Sequence, residues 1–127
     1  MSQDRPAIDD LLLSVEQLLG ECAPKLEGEL RYHAQVAAYL LQICRREICL
    51  APGFDAAEAE ALAAFLGRKA PLDELERGLA ENIRAGSCDA QWQAALDLVL
   101  AQTIDKVRIV RPGHLAPEHR LPDAATN

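Results

Sequence analysis

Residues 26–50 read LEGELRYHAQVAAYLLQICRREICL, and the spacing of apolar residues in this stretch decides the fold class. Leu26, Leu30, His33, Val36, Ala37, Leu40, Leu41, Cys44 and Ile48 recur every three or four positions, the interval that lines one face of a helix. Tyr32, Tyr39 and Ile43 widen the apolar arc beyond an ordinary surface stripe, which predicts contacts on two sides. Arg31, Gln42, Arg45 and Arg46 occupy the remaining polar arc. The stretch therefore reads as a long central helix, the second element of an all-α antiparallel bundle.

Outward from it, the flanking segments carry the same periodicity. Toward the N-terminus, Pro6 suits a first helical position, and Asp9 and Asp10 place negative charge at the positive end of a helix dipole. Ile8, Leu11, Leu12, Val15, Leu18, Leu19 and Cys22 then form the expected core face of helix 1, with Leu13 on the opposite side. Toward the C-terminus, the APGF of residues 51–54 is expected to end the long helix, because proline and glycine break helical hydrogen bonding. Asp55 and Glu58 resemble a capping box opening a short third helix that closes at Gly67. Leu72, Leu75, Leu79 and Ile83 form the seam of a fourth. In a fifth, capped by Asp89, the residues Trp92, Leu96, Val99, Leu100, Thr103 and Val107 align, and Leu98 faces away from them. The expectation is a single-domain bundle of about five helices over residues 1–114, with an extended or disordered tail over 115–127.

Composition narrows the function classes. Half of the 127 residues are hydrophobic but only 4% are aromatic, so the core must be built from Leu, Ala, Ile and Val. A net charge of −7 argues against nucleic acids and anionic membranes as partners, although Lys106, Arg108, Arg111 and Arg120 make the C-terminal stretch locally basic. No apolar run approaches the ~20 residues of a membrane span, and the first residues lack the basic-then-apolar pattern of a leader. Cys22, Cys44, Cys49 and Cys88 contain no CxxC pair. Reduced thiols in a cytoplasmic protein, with no metal and no cofactor, are the reading that follows.

Chemistry is sparse. His33 has Glu29 four positions before it, whereas a di-iron bundle uses Glu-x-x-His twice together with two further carboxylates. His33 is expected to be a packed histidine or a polar point in a binding site. The serines, Ser2, Ser14 and Ser87, lie in no nucleophile elbow, and no phosphate-binding glycine loop is present. No catalytic residue is assigned, and the protein is expected not to be an enzyme. Arg45 and Arg46 near the end of the long helix suit a phosphate or carboxylate and are candidate binding residues. Leu13 and Leu98, off the expected core faces, are candidate interface positions, and self-association through them is compatible with any of these readings.

Four ordered segments carry a resemblance: LEGELRYHAQVAA (26–38), RRE (45–47), the L-x-x-L-x-x-x-L-x-x-x-I-R-x-G run from Leu72 to Gly86, and DKVRIVRP (105–112). Together they resemble a family of small, poorly characterised bacterial helical proteins. Its members are typically encoded beside aminoglycoside-phosphotransferase-like kinases and acyl-CoA dehydrogenases. The resemblance implies an accessory role, similar to the small companion subunit of a 4-hydroxyacyl-CoA kinase in levulinate-type hydroxyacid catabolism. His33, Val36, Ala37, Arg46, Glu47, Lys106 and Pro112 match the family pattern, which adds Lys106 to the candidate binding residues. The chain departs from the pattern at Gln35–Tyr39, where Arg-Val-Ala-Ala-Asn is usual, and at Arg111, which replaces an asparagine. The expected partner is a phosphotransferase-type kinase encoded nearby. The alternative is a bundle that binds a small acyl-CoA or hydroxyacid through His33, Arg45 and Arg46.

Overall fold

A computed structural model describes residues 7–122. Four α-helices carry them: α1 (Ile8–Cys22), α2 (Gly28–Leu66), α3 (Leu72–Ala85) and α4 (Trp92–Val110), with 3-10 turns between α1 and α2, between α3 and α4, and twice after α4. The described residues contain no strand, so the all-helical expectation holds. The expected role of Pro6 lies outside the described residues.

The helix count differs from the expectation of about five. Residues 51–54 do not end α2; the helix continues through Pro52 and Gly53 for 39 residues in all. Pro52 removes one N–H from the helical ladder, at a cost of roughly 3 kcal/mol relative to alanine in a helix interior. Downstream, DAAEAEALAAFL (55–66) is dense in strong helix formers, which offset that cost residue by residue. Asp55 and Glu58 are consequently interior to α2 rather than an N-terminal cap. The helix ends where Gly67 adopts a positive φ of 71° and donates its N–H to the Ala63 carbonyl at 2.9 Å. Gly86, at φ 81°, ends α3 in the same way, with the Ser87 N–H bonded to the Asn82 carbonyl. Asp89 does not cap α4 directly; it opens a 3-10 turn, and α4 begins at Trp92.

The chain divides into two compact units, one up to Leu50 and one from Ala51 onward. In the first unit, α1 and the N-terminal part of α2 form an antiparallel hairpin. At one end Arg31 donates to the carbonyls of Ala23 and Pro24 at 3.1 and 2.8 Å. At the other end Arg45 reaches Asp9 at 2.8 Å. Alanine and leucine line the contact: Ala23 and Ala34 are buried, with Leu12, Leu19, Ala38 and Leu41 partly covered.

The core of the second unit is Leu62, Leu75, Leu79, Cys88 and Ala95, drawn from α2, α3, the turn before α4, and α4. Phe65, Leu66, Leu72 and Leu98 pack around it. Leu98 thus faces the core, which corrects its assignment as an outward residue. The stripe expected to face inward is turned out: Trp92, Leu96, Val99 and Leu100 are all exposed. Leu62 and Leu75 leave no more than 1% of their surface in water and fill the space opposite α4, and the helix sets Ala95 against them with Leu98 packed alongside. Leu13 is likewise partly covered, while Ile8, Leu11, Val15 and Leu18 on the expected core face of α1 are exposed.

The segment after α4 is also held in place as far as it is described. Arg108 donates to the His119 carbonyl at 2.8 Å, and Arg120 donates to the carbonyls of Leu115 and Gly113. A 3-10 turn occupies Pro117–His119, and these bonds tie the first part of the segment expected to be an extended or disordered tail back to the end of α4; residues 123–127 of that expectation lie outside the described residues. Among the described residues, no helix is long and apolar enough to cross a membrane.

Candidate functional site

The sequence-predicted binding residues do not converge on one site. Arg45 points toward α1, where its Nε and Nη2 bond the two carboxylate oxygens of Asp9 at 2.8 and 3.4 Å. Its Nη1 meets Glu16 at 3.2 Å, and Gln42 donates to the other oxygen of Glu16 at 3.3 Å. The forked guanidinium fits a carboxylate in two places at once, which makes this the tie that sets the register of the hairpin. It holds the Asp9 carboxyl below the usual carboxylate range, and Arg45 in turn is raised by the same hydrogen bond. Burial, with the nearby Asp9 charge, pushes the neighbouring Cys49 thiol up.

Arg46 lies about 100° further round the helix, so the two arginines do not clamp a common group. His33, expected to be packed, is exposed, with its ring tilted at 53° to that of Tyr32 and 6.0 Å away. Lys106 belongs to the second unit and is exposed.

The second unit holds a carboxylate that the sequence suggests only as part of a helix cap. Glu58 follows the helical interval back from Leu62, which turns it toward α3 and α4 rather than toward solvent. Its Oε1 is buried and makes no hydrogen bond among the described residues. Burial raises its pKa above the ordinary 4.5, and Glu76, Asp55 and Asp105 push it further up, while Lys106 pulls it partly back. On α4, Arg108 bonds Asp105 at 2.9 Å and lies 6.0 Å from the centre of the Phe54 ring. The i, i+4 relation of Glu58 to Leu62 was the available signal, masked by reading Asp55 and Glu58 as a cap.

A raised carboxyl pKa has a definite sign. As pH climbs above 4.5 the unfolded chain loses this proton first, so the folded state is progressively penalised until Glu58 ionises there too. Glu58→Gln is therefore expected to raise the melting temperature at neutral pH and to leave it nearly unchanged at pH values below 4.5. Thermal melts of both proteins across this range check it; a variant less stable than wild type at neutral pH would assign the charge a stabilising partner.

An apolar groove of about 330 Å³ lies between α3 and α4, lined by Ile83, Cys88, Trp92, Ala95, Leu96 and Val99, with Asp89 as its one charged group. Trp92 is 62% exposed at its edge. A shallower groove of about 810 Å³ sits at the α2–α3 turn, floored by Ala59, Ala63, Ala64 and Leu75, with Glu60, Arg68 and Lys69 also lining it. The described residues hold no group of three His, Cys, Asp or Glu side chains placed to bind a metal ion.

No curated protein and no solved structure matches the chain. A family model does match, over residues 24–114, the span from the turn after α1 to the turn after α4. The chain belongs to that family, described as a domain of unknown function, DUF6285.

Proposed function

We propose that this protein is a non-catalytic accessory subunit that binds and supports a phosphotransferase-type, hydroxyacyl-CoA kinase encoded nearby in the cytoplasm. The observation that supports a binding role is the outward stripe of α4: Trp92, Leu96, Val99 and Leu100 stand exposed beside the groove they share with Ile83. Large apolar side chains clustered around a tryptophan, with little charge among them, are what the centre of a protein–protein interface presents. The class of partner rests on the resemblance of the four sequence segments. The antiparallel arrangement expected of the whole chain belongs to the same proposal: docking of the kinase on a single helical bundle.

The acyl-CoA-binding alternative moves to a different place in the molecule. Arg45 is engaged by Asp9 and Glu16, whereas the groove at the α2–α3 turn combines an alanine-rich floor with Arg68 and Lys69, groups suited to an acyl chain and a phosphate.

One experiment addresses both readings. The chain is co-expressed with the neighbouring kinase and the complex is sized by chromatography with light scattering. A stable hetero-complex that Trp92→Ala weakens at least tenfold supports the accessory reading. Separate elution with unchanged kinase activity overturns it. Adding a short-chain acyl-CoA to the isolated chain and recording its melting temperature tests the alternative: a rise that Arg68→Ala abolishes supports it, and no rise removes it.

A further inference from the structure

The hairpin of the first unit carries a second apolar face that its own two helices leave uncovered. On α1, Ile8, Leu11, Val15, Leu18 and Cys22 follow at intervals of three and four, with β-branched residues alternating with leucine. This is the spacing by which helices pack lengthwise at a small crossing angle, β-branched at one seam position and leucine at the next. The four largest of these side chains are each about half exposed. On α2, Leu30, His33, Ala37, Leu40, Cys44 and Ile48 repeat the spacing, and Leu30, Leu40 and Ile48 are exposed as well.

These two stripes lie on one side of the hairpin. On α1 the side chains turned to α2 include Leu12, Glu16 and Leu19; on α2 those turned to α1 include Ala34, Ala38, Leu41 and Arg45. Each exposed stripe is offset from its helix's contact face by roughly 90–120°, in the same rotational sense viewed from that helix's N-terminus. The helices are antiparallel, as the Arg31 and Arg45 bonds require, so the two offsets bring both stripes to the same flank. The result is half of a four-helix bundle.

We propose that a second copy of this chain covers that flank, hairpin against hairpin, to close a four-helix bundle. Two features select a second copy as the occupant. The α1 stripe has no charged side chain and the α2 stripe has only His33 as a polar one, so the face lacks the directional groups that would orient an unlike partner. A two-fold contact needs only that a surface match itself, and two apolar stripes at equal spacing do so. The area also suits: seven roughly half-exposed aliphatic side chains leave on the order of 600 Å² per copy, close to the ~800 Å² per partner of a standard interface once flanking atoms are counted. The inference is independent of the kinase reading, which uses α4. The whole α1 stripe also precedes the span matched by the family model.

Sedimentation equilibrium of the full chain at micromolar concentration tests it. The expected mass is twice the 13.9 kDa of one chain, with a melting temperature that rises with protein concentration. Leu11→Glu with Leu18→Glu is expected to give a monomer of unchanged helical circular dichroism and to abolish the concentration dependence. Should that pair unfold, the single change Leu18→Gln, at a half-exposed position, is expected to weaken dimerisation at least tenfold in the folded protein. A monomeric wild type overturns the proposal, because another occupant then covers the face. A dimer that survives the folded Leu18→Gln variant at full affinity overturns it too, because the contact then lies elsewhere.

Discussion

Truncating Leu62 to alanine is expected to lower the unfolding free energy by about 3 kcal/mol, near the middle of the 2–5 kcal/mol found for buried leucines. Leu62 is wholly buried and belongs to a core of only five buried residues, so little neighbouring side chain is free to collapse into the space left behind. Denaturant titration of the variant gives the number directly. The same titration decides the orientation of α4. Leu98 packs against the core and Leu96 is half exposed, so Leu98→Ala should cost clearly more than Leu96→Ala. The reverse order would restore the inward stripe that sequence periodicity alone suggests.

Replacing Pro52 by alanine is expected to have the opposite sign. Within a continuous α2, Pro52 leaves the Ile48 carbonyl without its helical donor and crowds it sterically. Alanine restores the N–H and removes the crowding, a gain of roughly 3 kcal/mol, while the freer unfolded chain takes back about 0.4–1. The net expectation is about 2 kcal/mol of added stability, read from the denaturation midpoint. A destabilised variant would mean that the proline sits at a true helix end, where its fixed φ is favourable and the loss of the ring costs unfolded-state entropy. The measurement thus separates one 39-residue helix from the two that APGF suggests.

The helical class of the chain was legible from the three-to-four spacing of residues 26–50, because that periodicity is a property of the backbone and needs no partner. The Gly67 and Gly86 terminations were legible for the same reason: both sit at a positive φ that glycine adopts most readily. The continuity of α2 was not. Local rules stop a helix at Pro-Gly, and only the helix-forming run after residue 54 outweighs them.

Which face of each helix is inside was decided by the tertiary structure. Helices α1 and α4 are apolar round more than one flank, so periodicity identifies several faces without ranking them. In α4 the large stripe lost, because Leu62, Leu75 and Leu79 already occupy the space and only the side carrying Ala95 fits against them. The candidate site followed the same logic. Arg45 reads as a free ligand clamp until α1 brings Asp9 and Glu16 to it from some thirty residues away. Glu58 reads as a cap until α3 and α4 partly cover it and bring the charges of Glu76 and Asp105 near. Sequence alone determined that the chain is helical and where α2 and α3 stop at glycine; close packing, acting between residues far apart in the chain, decided which side chains face water and which charges meet.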